Sequence, residues 1–134
     1  MKLVKTLILA GGLALAGTSW AAGEPLFINV TSAPDLHRTE MALTFASNVL
    51  KKQHPVTVFL NDMAVKTATK AAAGSATGKL LADVLQAGGT VIVCPMCMKH
   101  YGVAEADLIA GAKLGNPDLT QAALFAPNGR SLSW

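Results

Sequence analysis

The sequence contains few of the features that identify nucleic-acid-binding or nucleotide-binding proteins. Only 14% of its 134 residues are charged, only 5% are aromatic, and no cluster of basic residues occurs. Nucleic-acid binding usually requires a basic patch or stripe, so no nucleic-acid partner is expected. A phosphate-binding loop is also missing, because "AGSATGKLL" has Ala73 and Leu80 where that motif needs Gly and Ser or Thr.

The N-terminal segment has the pattern of a secretory signal peptide. Lys2 and Lys5 precede an apolar run from Leu7 to Gly17, which is shorter than the about 20 residues of a transmembrane helix. Small residues follow at 19–22, where a signal peptidase would cut. We therefore predict a signal peptide over residues 1–22, export to the periplasm, and no stable membrane insertion after cleavage.

The remaining residues, 23–134, have the length of one domain with its own core. Without Lys2 and Lys5, nine Lys and Arg residues face eight Asp and Glu residues, so the exported domain is close to neutral. An exported protein is folded in an oxidising compartment. Its only two cysteines, Cys94 and Cys97, could therefore persist there as a disulfide.

Short apolar runs alternate with segments of helical periodicity along this domain. The apolar runs predict buried strands at 26–30, 56–60 and 90–93, and a last strand at 131–134. Helices are predicted at 36–52, 78–87 and 117–125, with Asp35, Thr77 and Asn116 as N-caps. Less regular segments predict a short helix and a loop over 63–78, a helical turn ending at Gly102, and a short helical stretch over 104–109.

Strands and helices in alternation indicate parallel strands joined by right-handed crossovers. The predicted fold is a three-layer α/β sandwich with an open, mostly parallel sheet of about five strands. Ligands in such sheets bind beyond the carboxyl ends of the strands where strand order reverses, which is often between the first and third strands. We therefore expect Cys94 to lie beside the loop at 31–37, from which His37 or Arg38 could approach it.

The stretch "VIVCPMCMKHYGV", residues 91–103, carries the candidate chemistry. A C-x-x-C pair that opens a helix favours the thiolate at its first cysteine, so Cys94 is the predicted nucleophile and Cys97 the resolving thiol. A plain disulfide and thiol–disulfide exchange are alternatives for the same pair. The pair follows the third strand, whereas a thioredoxin domain carries it after the first crossover, so a thioredoxin fold is not expected.

A soft-metal site is a further alternative for this stretch. Thiolate and thioether sulfurs select Cu(I), and five candidate ligands occur within seven residues: Cys94, Met96, Cys97, Met98 and His100. Helical geometry cannot direct all five side chains to one ion, so only a subset would bind. A zinc site would need a second ligand pair at finger-like spacing, which the sequence does not contain.

The domain resembles the DsrE/DsrF-like family, which includes the Tus sulfur-relay subunits. The resemblance rests on the first strand, on "MALTFASNVLKK" followed by "HPVTVFLNDMAV", and above all on "VIVCPMCMKHYGV". In that family an apolar third strand ends in a cysteine, and a short helix and Gly-Val follow. Cys94, Gly102 and Val103 match these positions. Relay subunits of the family act in the cytoplasm and do not generally contain the Cys-Pro-Met-Cys run.

The resemblance implies the open parallel sandwich, assembly as a trimer or hexamer, and a persulfide on Cys94. A periplasmic protein that binds or relays sulfane sulfur is therefore the leading hypothesis, with a sulfur donor or acceptor protein or a small thiol as partner. No cofactor is required for this chemistry, whereas Cu(I) belongs to the alternative. The sequence leaves open whether the protein is a stoichiometric carrier or a sulfurtransferase.

Overall fold

The computed structural model describes residues 23–134, so the predicted signal peptide lies outside the described residues. Five strands are present: β1 (Leu26–Val30), β2 (Val56–Leu60), β3 (Thr90–Val93), β4 (Ala112–Leu114) and β5 (Arg130–Ser133). Four α-helices connect them: α1 (His37–Leu50), α2 (Ala76–Gln86), α3 (Pro95–Tyr101) and α4 (Pro117–Leu124). Three short 3-10 helices occupy Asp62–Ala68, Lys70–Ala72 and Glu105–Asp107.

The five strands form one open sheet in the order β4-β3-β2-β1-β5, and every strand pair is parallel. Each crossover from β1 to β4 adds the next strand beside the previous one, and the last crossover returns the chain to the free edge of β1. Strand order therefore reverses at β1 and β5. The predicted fold class, an α/β sandwich with an open parallel sheet, is confirmed.

The main core lies between the sheet and helices α1 and α2. Alternate residues of the three central strands point into it, among them Ile28, Val58 and Val91, which are fully buried. From the helices, Leu43 and Leu81 complete the same cluster. Burying a side chain of this size contributes about 1.5–3 kcal/mol, so each of these residues stabilises the fold appreciably.

The opposite face of the sheet is covered mainly by α4. Phe27 and Phe59 stack on this face with their ring centroids 6.0 Å apart. Thr120 and Leu124 of α4 line a cleft together with both rings. Because right-handed crossovers in one direction place their helices on one face, the reversed crossover puts α4 alone on the other face and produces the three layers.

The predicted elements are confirmed, but two helix caps differ from the prediction. Leu36, rather than Asp35, precedes α1 and makes no capping hydrogen bond. Ser75, rather than Thr77, caps α2, because its hydroxyl accepts the hydrogen bond of the Gly78 N–H group. Asn116 caps α4 as predicted, with its side chain accepting the Leu119 N–H group.

Strand β4 was not predicted individually. It is only three residues long, and Lys113 interrupts its apolar character, so it has no strand signal of its own. Its parallel pairing with β3 in the structure is what identifies it as a strand. No helix within residues 23–134 combines the length and the apolar character needed to cross a bilayer.

Candidate functional site

Cys94 lies immediately beyond the carboxyl end of β3. Its backbone N–H group donates to the Leu60 carbonyl at 2.9 Å, which continues the β2–β3 ladder by one more step. The neighbouring segment is therefore the loop after β2, which begins at Asn61. The prediction that the loop at 31–37 lies beside Cys94 assumed that β1 and β3 are neighbours, and that assumption is wrong, because β2 lies between them in the sheet.

The sulfur atoms of Cys94 and Cys97 lie 2.7 Å apart, and both cysteines are free thiols. The Cys97 thiol donates to the Cys94 sulfur, which also accepts the Cys97 backbone N–H group at 3.3 Å. The Cys94 sulfur therefore accepts a backbone N–H group of α3 in addition to its contact with Cys97. A disulfide between them needs the sulfurs to approach by well under 1 Å, to a bond length of about 2.05 Å.

The local sequence explains why the chain turns into a helix at this point. Pro95 occupies the first position of α3, where its missing N–H group costs nothing and its fixed φ suits a helix. Gly102 ends the helix in the left-handed conformation at φ 69° and donates its N–H group to the Met98 carbonyl. The predicted helical turn after Cys94, ending at Gly102, is confirmed.

Beside Cys97 is an open cleft of about 350 Å³ at the carboxyl edge of the sheet, and Cys94, which is partly buried, is not among the residues that line it. It is lined by residues of the loop after β2 and of α3: Asn61, Asp62, Met96, Cys97, His100 and Tyr101. Met96 is 78% exposed, so the cleft is widely accessible to a partner or a small molecule. Asn61 is held in place because its side-chain amide donates to the Asn29 side-chain oxygen.

Tyr101 connects the end of α3 to the loop after β2. Its hydroxyl donates to the Asp62 carboxylate, and the Lys66 ammonium lies 5.2 Å from the centroid of its ring. This hydrogen bond, together with partial burial and the negative charge of Asp62, raises the pKa of Tyr101 above its ordinary value. Asp62 itself adopts a left-handed backbone at φ 47°, which Asp tolerates better than most residues.

Burial raises the pKa of the Cys97 thiol above its ordinary value, and the hydrogen bond with Cys94 raises it further. A backbone hydrogen bond at Asp62 acts in the opposite direction, while the charges of Cys94 and Asp62 add to the increase. Cys97 is therefore held as a protonated thiol around neutral pH. This state suits a resolving thiol, which becomes nucleophilic only when it loses its proton.

The five sequence-predicted site residues do not all lie in one place. Cys94 and Cys97 are in contact, and Met96 and His100 share the cleft with Cys97. Met98 points the other way, into the main core, where it is only 3% exposed. Residues 23–134 contain no cluster of three or more His, Cys, Asp or Glu side chains arranged to hold a metal ion.

The two basic residues expected to approach Cys94 from the first loop do not line the cleft beside Cys97. His37 is 82% exposed at the start of α1 and contacts Glu40 on the same helix, with 3.4 Å between Nδ1 and Oε2. Arg38, the next residue, is also exposed. Both belong to the segment after β1, and β2 lies between β1 and β3 in the sheet.

Sequence reasoning missed Asp62 and Tyr101. Tyr101 follows Cys97 by four residues, the spacing that places two side chains on one helix face, and could have been found from the predicted helix. Asp62 directly follows β2, but its proximity to the cysteines depends on β2 and β3 being neighbours. That pairing comes from the assembled sheet.

The chain is similar to a known protein family and to an archaeal protein. The model of the DsrE/DsrF-like family matches residues 25–125. The uncharacterized protein MJ0989 of Methanocaldococcus jannaschii is 37% identical over 89 residues, which are 63% of this chain and 78% of that protein.

Solved structures with the same fold cover most of the described domain. The ychN protein from E. coli matches with a TM-score of 0.73 at 17% identity, over 84% of this chain and 100% of that one. The protein MTH1491 from Methanobacterium thermoautotrophicum matches with a TM-score of 0.69 at 11% identity, over 84% of this chain and all of that one. The protein BT1422 from Bacteroides thetaiotaomicron matches with a TM-score of 0.64 at 20% identity, over 87% of this chain and 99% of that one.

Proposed function

This chain belongs to the DsrE/DsrF-like family, which is linked to sulfur relay, and we propose that it binds or relays sulfane sulfur as a persulfide on Cys94. Cys97 acts as the resolving thiol. The observation that carries the proposal is the contact of the two sulfurs beside an open cleft that Cys97 lines. The Cys94 sulfur accepts the Cys97 backbone N–H group, and the Cys97 sulfur lies 2.7 Å from it.

Loading is a thiol exchange in which the Cys94 thiolate attacks the outer sulfur of a donor persulfide, R–S–SH. A bond forms between Cys94 Sγ and that sulfur, the S–S bond of the donor breaks, and the donor leaves as the thiolate R–S⁻. Transfer to an acceptor is the same kind of exchange, with the Cys94 persulfide now as the donor. An acceptor thiolate takes the outer sulfur, and Cys94 leaves as a thiolate.

Cys97 offers a second outcome for the loaded sulfur. When Cys97 loses its proton, its sulfur attacks Cys94 Sγ, and the outer sulfur leaves with the electron pair as HS⁻. The sulfane sulfur is thereby reduced to sulfide, and the two cysteines are oxidised to a disulfide. A small thiol or a thiol reductant protein must then return the pair to the reduced state.

Cell location, partners and assembly are further parts of the proposal. The signal-like segment 1–22 supports export to the periplasm, where a donor or acceptor protein or a small thiol would meet the open cleft. A homo-oligomer, a trimer or hexamer, is expected from the family resemblance. Exposed apolar side chains such as Phe125, 76% exposed, and Met41, 52% exposed, would gain from being covered in it.

Intact mass spectrometry of the exported protein tests the main proposal. The protein is purified without reductant or chelator, reduced, freed of reductant, and incubated anaerobically with glutathione persulfide. We expect Cys97→Ser to retain one added sulfur on Cys94 and the wild type to release sulfide as it forms the disulfide. Cys94→Ser should gain no sulfur, and loading of this variant at the wild-type level would refute the assignment. Native spectra of the same sample give the subunit count.

Cu(I) binding is the second candidate function, and the exposed Met96 supports it. A thioether sulfur in solvent beside two thiols is an unusual arrangement, and soft sulfur ligands select Cu(I). Cys94 and Cys97 would supply thiolates, with Met96 or His100 completing the ligand set at the cleft. Met98 would have to leave the core to take part, so we assign it no ligand role.

A Cu(I) titration against a competing chelator separates the two functions. The sulfur-relay proposal expects sulfur loading to survive Met96→Leu and His100→Ala and to disappear in Cys94→Ser. The copper proposal expects Met96→Leu and His100→Ala to weaken copper binding. Met98→Leu is the control and should bind copper as the wild type does. If the purified protein shows only the two-hydrogen loss of a disulfide, and neither sulfur nor copper, a thiol–disulfide redox role takes their place.

A further inference from the structure

We propose that Asp62 and Tyr101 form a clamp that positions Cys97 against Cys94, and so decides whether loaded sulfur is released as sulfide or kept for an acceptor. Both are positioning residues, since they act through Cys97. The inference rests on the proposed function and adds a control element to the same site. It is carried by the contacts that join α3 to the loop after β2.

The two cysteines are held by different parts of the structure. Cys94 continues the β2–β3 ladder through its hydrogen bond to Leu60, so its position is set by the sheet. Cys97 lies one turn into α3, a helix of only seven residues. The distance between the two sulfurs therefore depends on how this short helix is held against its surroundings.

Helix α3 is attached at two points beyond its start. Met98 anchors one side of it in the main core. Three residues further along the helix, Tyr101 donates its hydroxyl proton to the Asp62 carboxylate, and the Lys66 ammonium lies over the ring. Tyr101 lies four residues after Cys97, so this contact holds the helix face that carries the resolving sulfur.

The other end of the clamp is itself fixed. Asp62 begins the 3-10 helix after β2, and the preceding residue, Asn61, donates its N–H group to the Val30 carbonyl at 3.0 Å. The left-handed backbone of Asp62 turns the chain at this point. The clamp therefore connects the resolving thiol to the sheet edge from which Cys94 projects. The positions of both sulfurs are then set by the same edge of the sheet.

Release of sulfide requires the Cys97 sulfur to attack Cys94 Sγ, with the outer sulfur leaving as HS⁻ and a disulfide forming. The efficiency of such an intramolecular attack depends steeply on how well the reacting atoms are held together. Transfer to an external acceptor does not use Cys97. Loosening the clamp should therefore slow sulfide release, lengthen the life of the persulfide, and leave transfer to an acceptor unaffected.

Two measurements on each variant test the clamp. The first is the equilibrium between the dithiol and the Cys94–Cys97 disulfide in glutathione buffers, which needs no sulfur loading. The second is the ratio of sulfide released to sulfur transferred, using glutathione persulfide as donor and a thiol acceptor. The variants are Tyr101→Phe, which removes only the hydroxyl, Asp62→Ala, which removes the acceptor, and Asp62→Asn, which keeps an oxygen acceptor and tolerates a left-handed backbone.

We expect Tyr101→Phe and Asp62→Ala to shift the glutathione equilibrium towards the dithiol by about fivefold and to lower the ratio of sulfide to transferred sulfur by a similar factor. Asp62→Asn should restore both values to near the wild-type level. Ser75→Ala is the matched control, because it removes the hydrogen bond that caps α2 and lies outside the contacts between α3 and the loop after β2. Thermal unfolding of every variant accompanies these measurements.

The clamp is overturned if Tyr101→Phe and Asp62→Ala leave the glutathione equilibrium unchanged, or if Asp62→Asn behaves like Asp62→Ala. It is also overturned if Ser75→Ala produces the same shift, since a general loss of stability would then explain the effect. Failure of the proposed function has a different signature. In that case the wild type gains no sulfur from glutathione persulfide, although the clamp variants still shift the glutathione equilibrium.

Discussion

Met96 and Met98 are two residues apart on α3, yet the first is 78% exposed and the second only 3% exposed. Met98 packs with the main core, and Met96 lines the cleft beside Cys97. The two thioethers therefore have separate roles, one in anchoring the helix and one in forming the site. This separation yields a direct stability prediction.

Met98→Ala should lower the free energy of unfolding by about 2–5 kcal/mol, because it removes a buried side chain and leaves a cavity under α3. Met98→Leu keeps the volume and should cost less than about 1.5 kcal/mol. Met96→Ala is the control in the same helix and should change stability by less than about 0.5 kcal/mol, since its side chain is exposed. Urea unfolding of the reduced proteins measures all three. Equal costs for Met96→Ala and Met98→Ala would contradict the assigned packing.

The raised pKa of Cys97 predicts a specific pH dependence of alkylation. Only the thiolate reacts, and a pKa above the ordinary value leaves less thiolate at any given pH. Iodoacetamide should therefore modify Cys97 in the folded protein more slowly than in the urea-unfolded protein at neutral pH. The two rates should converge as the pH rises through the raised pKa. Peptide mapping by mass spectrometry gives the rate at each cysteine, and a folded rate equal to the unfolded rate at neutral pH would contradict this prediction.

Tyr101 is the only tyrosine in the chain, so the absorbance of tyrosinate reports on this residue alone. The hydrogen bond to Asp62 and its negative charge favour the neutral phenol, which raises the pKa of Tyr101. We expect Tyr101 to ionise at higher pH than a free tyrosine, and Asp62→Ala to lower this pH towards the ordinary value. Asp83→Ala, which removes an exposed acid on α2, should leave the titration unchanged. Superimposable curves for wild type and Asp62→Ala would argue against the contact.

Gly102 ends α3 at a positive φ of 69°, and a Cβ atom added there would meet no neighbouring atom. Any cost of Gly102→Ala is therefore due to backbone conformation alone. We expect a loss of about 1 kcal/mol in the free energy of unfolding, because Ala disfavours the left-handed region. Gly74→Ala is the matched control, since that site also has open space but no positive φ. Chemical unfolding should show that variant unchanged or slightly stabilised.

Much of the fold could be predicted because its signals are local. β1, β2 and β3 are short apolar runs, and α1, α2 and α4 show helical periodicity, so each could be located from its own residues. The N-caps of α1 and α2 were misassigned, because several neighbouring side chains are able to cap a helix and backbone geometry selects among them. β4 escaped prediction because three residues carry too little pattern.

The sequence by itself determined the class of the fold and the two sulfurs of the site, since the C-x-x-C spacing and the strand before it are properties of consecutive residues. Only the tertiary structure decided which segments surround those sulfurs. Strand order placed β2 beside β3, so that Asp62, rather than His37 or Arg38, lies next to Cys97. The rotation of α3 sent Met98 into the core and left Met96 at the cleft. Both outcomes arise from packing between residues distant in the chain, which local pattern does not encode.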